Sequence, residues 1–106
     1  MVDRETAIKK SNDFLVELGK SGISIQAAYL FGSYAEDKQH EWSDIDLAIF
    51  SDQFSGFGFN DKKNIAPINI RKEYQEIEVK TFPIQELYAP NQFVRHIFEK
   101  GIKLAV

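Results

Sequence analysis

Leu30-Phe31-Gly32-Ser33, ten further residues, and then Asp44-Ile45-Asp46-Leu47 form the stretch whose reading decides the fold. The run before it, Ala27-Ala28-Tyr29-Leu30-Phe31, is short and apolar and reads as a buried strand over 27–31. That strand stops abruptly at Gly32-Ser33, where a glycine lets the backbone approach a ligand and neighbouring N–H groups can face an anion. The polar stretch 34–43 that follows has room for one helical turn. Over 44–50 the chain alternates, with Asp44, Asp46 and Ala48 on one side and Ile45, Leu47 and Ile49 on the other. A period of two marks a strand with one apolar face and one face for polar work.

Working outward, the segment 74–82 alternates in the same way, with Glu76, Glu78 and Lys80 set against Ile77, Val79 and Thr81. This is the third expected strand. At the N-terminal end, Ala7, Ile8, Ser11, Leu15 and Leu18 recur at helical steps, so 3–20 is an amphipathic helix, led by acids that favour its positive end and stopped by Gly19 or Gly22. Near the other end, Phe93, Val94, Ile97 and Phe98 predict a helix over 91–100, with Gly101 as its cap and 102–106 as a last strand at a sheet edge. Between them, 51–71 holds Phe54, Phe57 and Phe59 around two glycines, and a short helix near Asp61 that Pro67 interrupts. The phenylalanines either pack the core or form a lid or partner patch. Helices alternating with strands give an α/β (α+β) fold: a small mixed sheet with helices packed on one face and an acid-lined site on the other.

Composition narrows the function. At 106 residues the prior is one domain, spanning 1–106. The 43% hydrophobic and 27% charged fractions fit a folded domain and argue against disorder. With 13 basic and 16 acidic residues the net charge is −3, so a basic nucleic-acid-binding surface is not expected. The absence of cysteine excludes disulfides, thiolate catalysis and Cys-type zinc sites. The two histidines, His40 and His96, are too few for a His-built metal cage and read as surface residues. No apolar run is long enough to span a bilayer, and the charged N-terminus has no signal-peptide core, so a cytoplasmic location is expected.

The chemistry-bearing residues converge. Asp44 and Asp46 share a strand face, and their carboxylates repel unless a cation lies between them. Glu78 joins that face if Ile77 and Val79 turn inward with Ile45 and Leu47. Glu76 competes for the third place, but Glu78 has apolar anchors on both sides. Three carboxylates on adjacent strands offer a hard oxygen cage suited to Mg²⁺. Two such ions activate an attacking oxygen and stabilise a leaving one in phosphoryl-type transfer. With Gly32-Ser33 to hold a triphosphate, these parts suggest nucleotidyl transfer.

Gly-Ser, a ten-residue spacer, Asp-x-Asp, and a later acid between apolar residues resemble the signature of the DNA polymerase beta superfamily of nucleotidyltransferases. The sequence resembles in particular the minimal members of that superfamily. The resemblance implies metal ligation by Asp44 and Asp46, a third acid at Glu78 as ligand or base, and nucleotide-phosphate contacts at Gly32 and Ser33. It implies two Mg²⁺ ions and a nucleoside triphosphate, ATP, as donor to a hydroxyl acceptor. Minimal members are often antitoxins paired with helical HEPN-type toxins, some of which they inactivate by attaching AMP to a tyrosine. One departure is visible: where the family often has a basic residue and a glycine after Gly-Ser, this chain has Glu36 and Asp37. That departure opens a second reading, an antitoxin of the same fold that acts by protein contact alone.

Overall fold

Asp3 accepts a hydrogen bond from the Thr6 N–H at 2.7 Å and so caps α1, Arg4–Lys20. Phe14, Leu15 and Leu18 lie on the buried stripe of this helix, and Gly22, at φ 97°, turns the chain away after its end. The computed structural model describes residues 3–40, 43–56 and 58–105, and of Phe59 only the backbone. Strand β1 is Ala27–Phe31 and β2 is Ile45–Ser51. Two short helices follow, α2 (Gly58–Lys62) and α3 (Ala66–Asn69). Pro67 stands in the first turn of α3, where its missing N–H costs nothing, so it helps to start a second helix rather than break the first. A 3₁₀ turn, Lys72–Tyr74, leads into β3 (Ile77–Pro83); then come α4 (Gln85–Tyr88), α5 (Gln92–Lys100) and β4 (Ile102–Lys103).

The strands form one sheet in the order β3-β2-β1-β4. β1 pairs antiparallel with both β2 and β4, and β2 pairs parallel with β3, so the sheet is mixed, as expected. β4 is at the edge, and it is shorter than the expected 102–106; Val106 lies outside the described residues.

Alternation along β2 divides the core. Ile45, Leu47 and Ile49 pack with Phe14, Leu18, Leu30, Ile77 and Val79 beneath α1. The opposite face is polar only at one end. Farther along, Ala48 and Phe50 join Ala27, Val94 and Ile97 in a second apolar cluster, roofed by α5. Beyond the face that α1 covers, then, α5 adds a smaller layer on the other side and confines the acids to one end of the sheet. Asn91 caps α5 through the Val94 N–H at 2.8 Å. Gly101 ends that helix as expected, but in an extended conformation. Glycine is needed there for space: a Cβ would lie 2.5 Å from the Ile97 carbonyl oxygen and 3.0 Å from that of Leu30.

The third strand is shorter than the expected 74–82. Tyr74 is buried in the 3₁₀ turn, its ring 5.3 Å from that of Phe14, and alternation begins only at Ile77. Phe54 is likewise core, while the readings of Phe57 and of the Phe59 side chain lie outside the described residues.

Candidate functional site

The β2–β3 register sets Asp46 directly beside Glu78, with Ile45 beside Ile77 and Leu47 beside Val79. Because Ile45, Leu47, Ile77 and Val79 are all anchored in the core, the two acids emerge on the opposite face. On its other flank Asp46 is paired with Phe31 of β1, one residue before Gly32. The parallel pairing thus brings together acids thirty-two positions apart in the chain.

Gly32 is the neighbour that shapes this corner. Its φ of 73° is in the left-handed region, and a Cβ built on it would lie 2.2 Å from Asp46 Oδ2. Glycine is therefore required twice, for the backbone turn and for the space the carboxylate occupies. Ser33 follows, half-buried, at the start of a turn closed by Glu36 N–H to Gly32 O at 3.1 Å and Lys38 N–H to Ser33 O at 2.8 Å. Arg4, from the first turn of α1, donates to the carbonyls of Tyr34 (2.9 Å) and Ala35 and ties that turn to the body of the protein.

Electrostatics distinguish Asp46 from an ordinary surface acid. Its carboxyl is pushed up to about 6, first by burial, then by the charges of Glu78 and Asp44, with Lys80 opposing. Asp44 is exposed just ahead of β2. The same charge acts on Tyr34, whose hydroxyl is pushed up by burial and by Glu76 and Asp44. Among the described residues no group of three His, Cys, Asp or Glu side chains is drawn together closely enough to form a closed metal cage. The three acids are neighbours around Asp46, not a tight triad. Their chemistry suits a divalent cation all the same: the donors are carboxylate oxygens, and the charge crowded on Asp46 is what such an ion would relieve.

Glu76 stands apart from this group. It lies before β3, not on it, and its carboxylate accepts from Lys10 Nζ of α1 at 2.8 Å. The expected shared face with Glu78 fails because the 3₁₀ turn ends the alternation at Ile77. His40 is exposed. His96 is exposed on α5, but its Nε2 is 3.9 Å from Glu36, a bridge that forms when the ring is protonated. Glu36 also lies 3.8 Å from Lys38. Asp37 is the one described non-glycine residue with positive φ, at 58°, a conformation that glycine and aspartate tolerate best.

Two residues at the site have no motif to announce them. Arg4 is one. Asp61 is the other: buried on α2, it accepts hydrogen bonds from Ser55 N–H (2.8 Å), Ser55 Oγ (2.9 Å), Gly56 N–H (3.1 Å) and Thr81 Oγ1 (3.1 Å). Burial pushes its carboxyl up, but the bonds from Ser55, Gly56 and Thr81 outweigh that and hold it below the usual range. The loop after β2 is thereby fastened to β3.

Comparison with known proteins places this geometry. The family described as polymerase beta, nucleotidyltransferase matches residues 14–105. No curated protein matches the chain. Among solved structures, a candidate nucleotidyltransferase from Sulfolobus solfataricus is similar in fold, with a TM-score of 0.69 at 16% identity over 94% of this chain and 80% of that one. No described helix is long and apolar enough to cross a membrane.

Proposed function

The chain belongs to the polymerase beta nucleotidyltransferase family, and on that premise we propose that it transfers a nucleoside monophosphate, AMP from ATP, to a hydroxyl acceptor. The observation that carries the proposal is the Asp46–Glu78 pairing beside Gly32, with the Asp46 carboxyl raised to about 6 by its acidic neighbours. Asp44, Asp46 and Glu78 are the residues that would hold Mg²⁺, most naturally two ions. When bound, the metal would supply charge neutralisation at the reacting phosphate and would lower the cost of ionising the acceptor hydroxyl.

The chain's own groups do the rest. Gly32 and Ser33 receive the donor phosphates, and the Arg4 bonds keep their turn in place. The acceptor oxygen bonds to the α-phosphorus while the bond from that phosphorus to the bridging oxygen breaks and pyrophosphate departs. The hydroxyl proton passes to a carboxylate, for which Glu78 is the choice: it is exposed, and the anchored Ile77 and Val79 flank it. The family resemblance extends the proposal to a partner, a helical HEPN-type toxin whose tyrosine accepts the AMP.

A contact-only antitoxin is the second reading. It is favoured by Glu36 and Asp37, negative residues in the turn after Gly32-Ser33, with Glu36 only partly offset by Lys38. Titration of Mn²⁺ in the presence of ATP separates the readings. Binding that is lost when Asp44→Asn and Asp46→Asn are combined supports the transferase, and binding unchanged in that variant refutes the assigned metal site.

A further inference from the structure

Strand β3 is an edge of the sheet, and beside its first residue a groove of about 430 Å³ opens against α3. Ile65 and Ile77, both buried, form its base. Ala66 of α3 and Ile70, just past the end of that helix, lie four positions apart and make its apolar wall. Ile70 is 69% exposed, although Ile65 and Ile68 beside it are core. Lys62 and Gln75, both exposed, stand at the rim.

Charge is lopsided around this groove. The stretch 62–72 carries Lys62, Lys63, Arg71 and Lys72 and no acid, in a chain of net charge −3. Arg71 is 3.5 Å from Glu17 of α1. Among the described residues neither Lys62 nor Lys72 has a carboxylate within 4.0 Å. An apolar centre with unquenched cations at its margin is complementary to a surface that is apolar in the middle and acidic around it.

The backbone decides the form of the partner. The Asn69 side-chain amide donates to the carbonyls of Tyr74 (2.9 Å) and Ile77 (3.1 Å). The start of the β3 edge is therefore already engaged, and an added strand would have to break that clamp. A helix needs no backbone pairing, and it lays apolar side chains spaced three and four positions apart into such a groove. Among the described residues that line the groove there is no aromatic ring for a base to stack on, which argues against a single-stranded nucleic acid. We propose that this groove docks an acidic amphipathic helix of a partner protein, with its aliphatic side chains against Ile70 and its carboxylates facing Lys62 and Lys72. Ile77 points into the core beneath α1, whereas Asp46 and Glu78 emerge on the opposite face, so a helix docked here leaves the acids open. The inference does not depend on the nucleotidyl-transfer reading.

The test uses the full chain and a fluorescein-labelled designed peptide with leucine along one helical face and glutamate on the others, followed by fluorescence anisotropy. The controls are a scrambled peptide of the same composition, whose leucines share no face, and a labelled oligo-dT. The designed peptide is expected to bind at least about tenfold more tightly than either control. Ile70→Ser, and Lys62→Glu combined with Lys72→Glu, should each weaken it by about tenfold, the loss expected when a central anchor or its charged margin is removed. All three side chains are exposed, so the fold should be kept, and thermal melts check that. No binding of the designed peptide, equal binding of the scrambled one, or affinity unchanged in Ile70→Ser overturns the proposal. Tighter binding of oligo-dT that depends on Lys62 and Lys72 overturns it in favour of a nucleic-acid surface. Mn²⁺–ATP titration of the same variants separates this claim from the transferase reading, since it should be unaltered in all of them.

Discussion

Replacing Asp46 by Asn removes a carboxylate that the fold holds at some cost. Its folded value of about 6 lies above the ordinary 3.8 because burial, then Glu78 and Asp44, oppose ionisation. Below pH 3.8 the group is protonated whether the chain is folded or not, and it has no effect. Between there and about 6 the folded protein keeps a proton that the unfolded chain has lost, so stability falls as pH rises, and above 6 the loss is complete. A gap of about 2 pH units corresponds to about 3 kcal/mol. Water reaches the half-buried carboxylate, and screening brings this to about 1–2 kcal/mol. Asn is of nearly the same shape and leaves the space beside Gly32 filled. Without metal at pH 7.5, Asp46→Asn should therefore melt about 5–10 °C higher than the parent, at the usual few degrees per kcal/mol for a domain of this size. The difference should vanish near pH 4. Adding Mg²⁺ and ATP should raise the parent's melting temperature and leave the variant unmoved. Differential scanning calorimetry at both pH values is the assay. A metal-free variant that melts lower than the parent at pH 7.5 would show that Asp46 is a structural partner and refute the reasoning.

Other outcomes follow from the same geometry. Gly32→Ala should lose metal–nucleotide binding and about 1–2 kcal/mol of stability, because the new methyl meets Asp46 Oδ2 and the backbone is left-handed; denaturant unfolding and Mn²⁺ titration check both. Asp61→Ala should cost about 2–3 kcal/mol at neutral pH by stranding the Ser55, Gly56 and Thr81 donors. Since the Asp61 value is lowered by folding, its contribution is present above the ordinary carboxylate range and lost as pH falls through the lowered value, so parent and variant should converge in acid urea melts. Asp37→Gly should leave the melting temperature within about 3 °C of the parent, since φ 58° suits glycine and the freer unfolded chain offsets the gain.

Much of the sheet was legible because its signals are local. Ile45, Leu47 and Ile49 alternate with acids, β1 is one apolar run, and α1 shows its period over several turns. The Asp46–Glu78 pairing was legible too, because anchored Ile77 and Val79 fix which way Glu78 faces. Glu76 was misplaced when that alternation was carried back past Ile77, where Tyr74 turns into the core in a 3₁₀ turn and Lys10, 66 positions away, takes the Glu76 carboxylate. The second apolar layer left a trace that alternation alone did not decode: Ala48, Phe50 and Phe82 lie on the acid face but are apolar, so that end had to be covered. Arg4 and Asp61 act across 30 and 20 positions on partners that carry no motif, and only the folded chain reveals them.

Pyrophosphate release tests the central claim most directly. The parent protein, with ATP, Mg²⁺ and a HEPN-type toxin as acceptor, should release pyrophosphate. Glu78→Gln should lower the rate by at least ~10²-fold, the lower range for loss of a general base, while Glu76→Gln, whose parent carboxylate is engaged by Lys10, should change it by less than about threefold. Equal rates in the parent and Glu78→Gln, or collapse in Glu76→Gln alone, would contradict the assignment of the acids; no release from the parent with any acceptor would contradict the transferase itself.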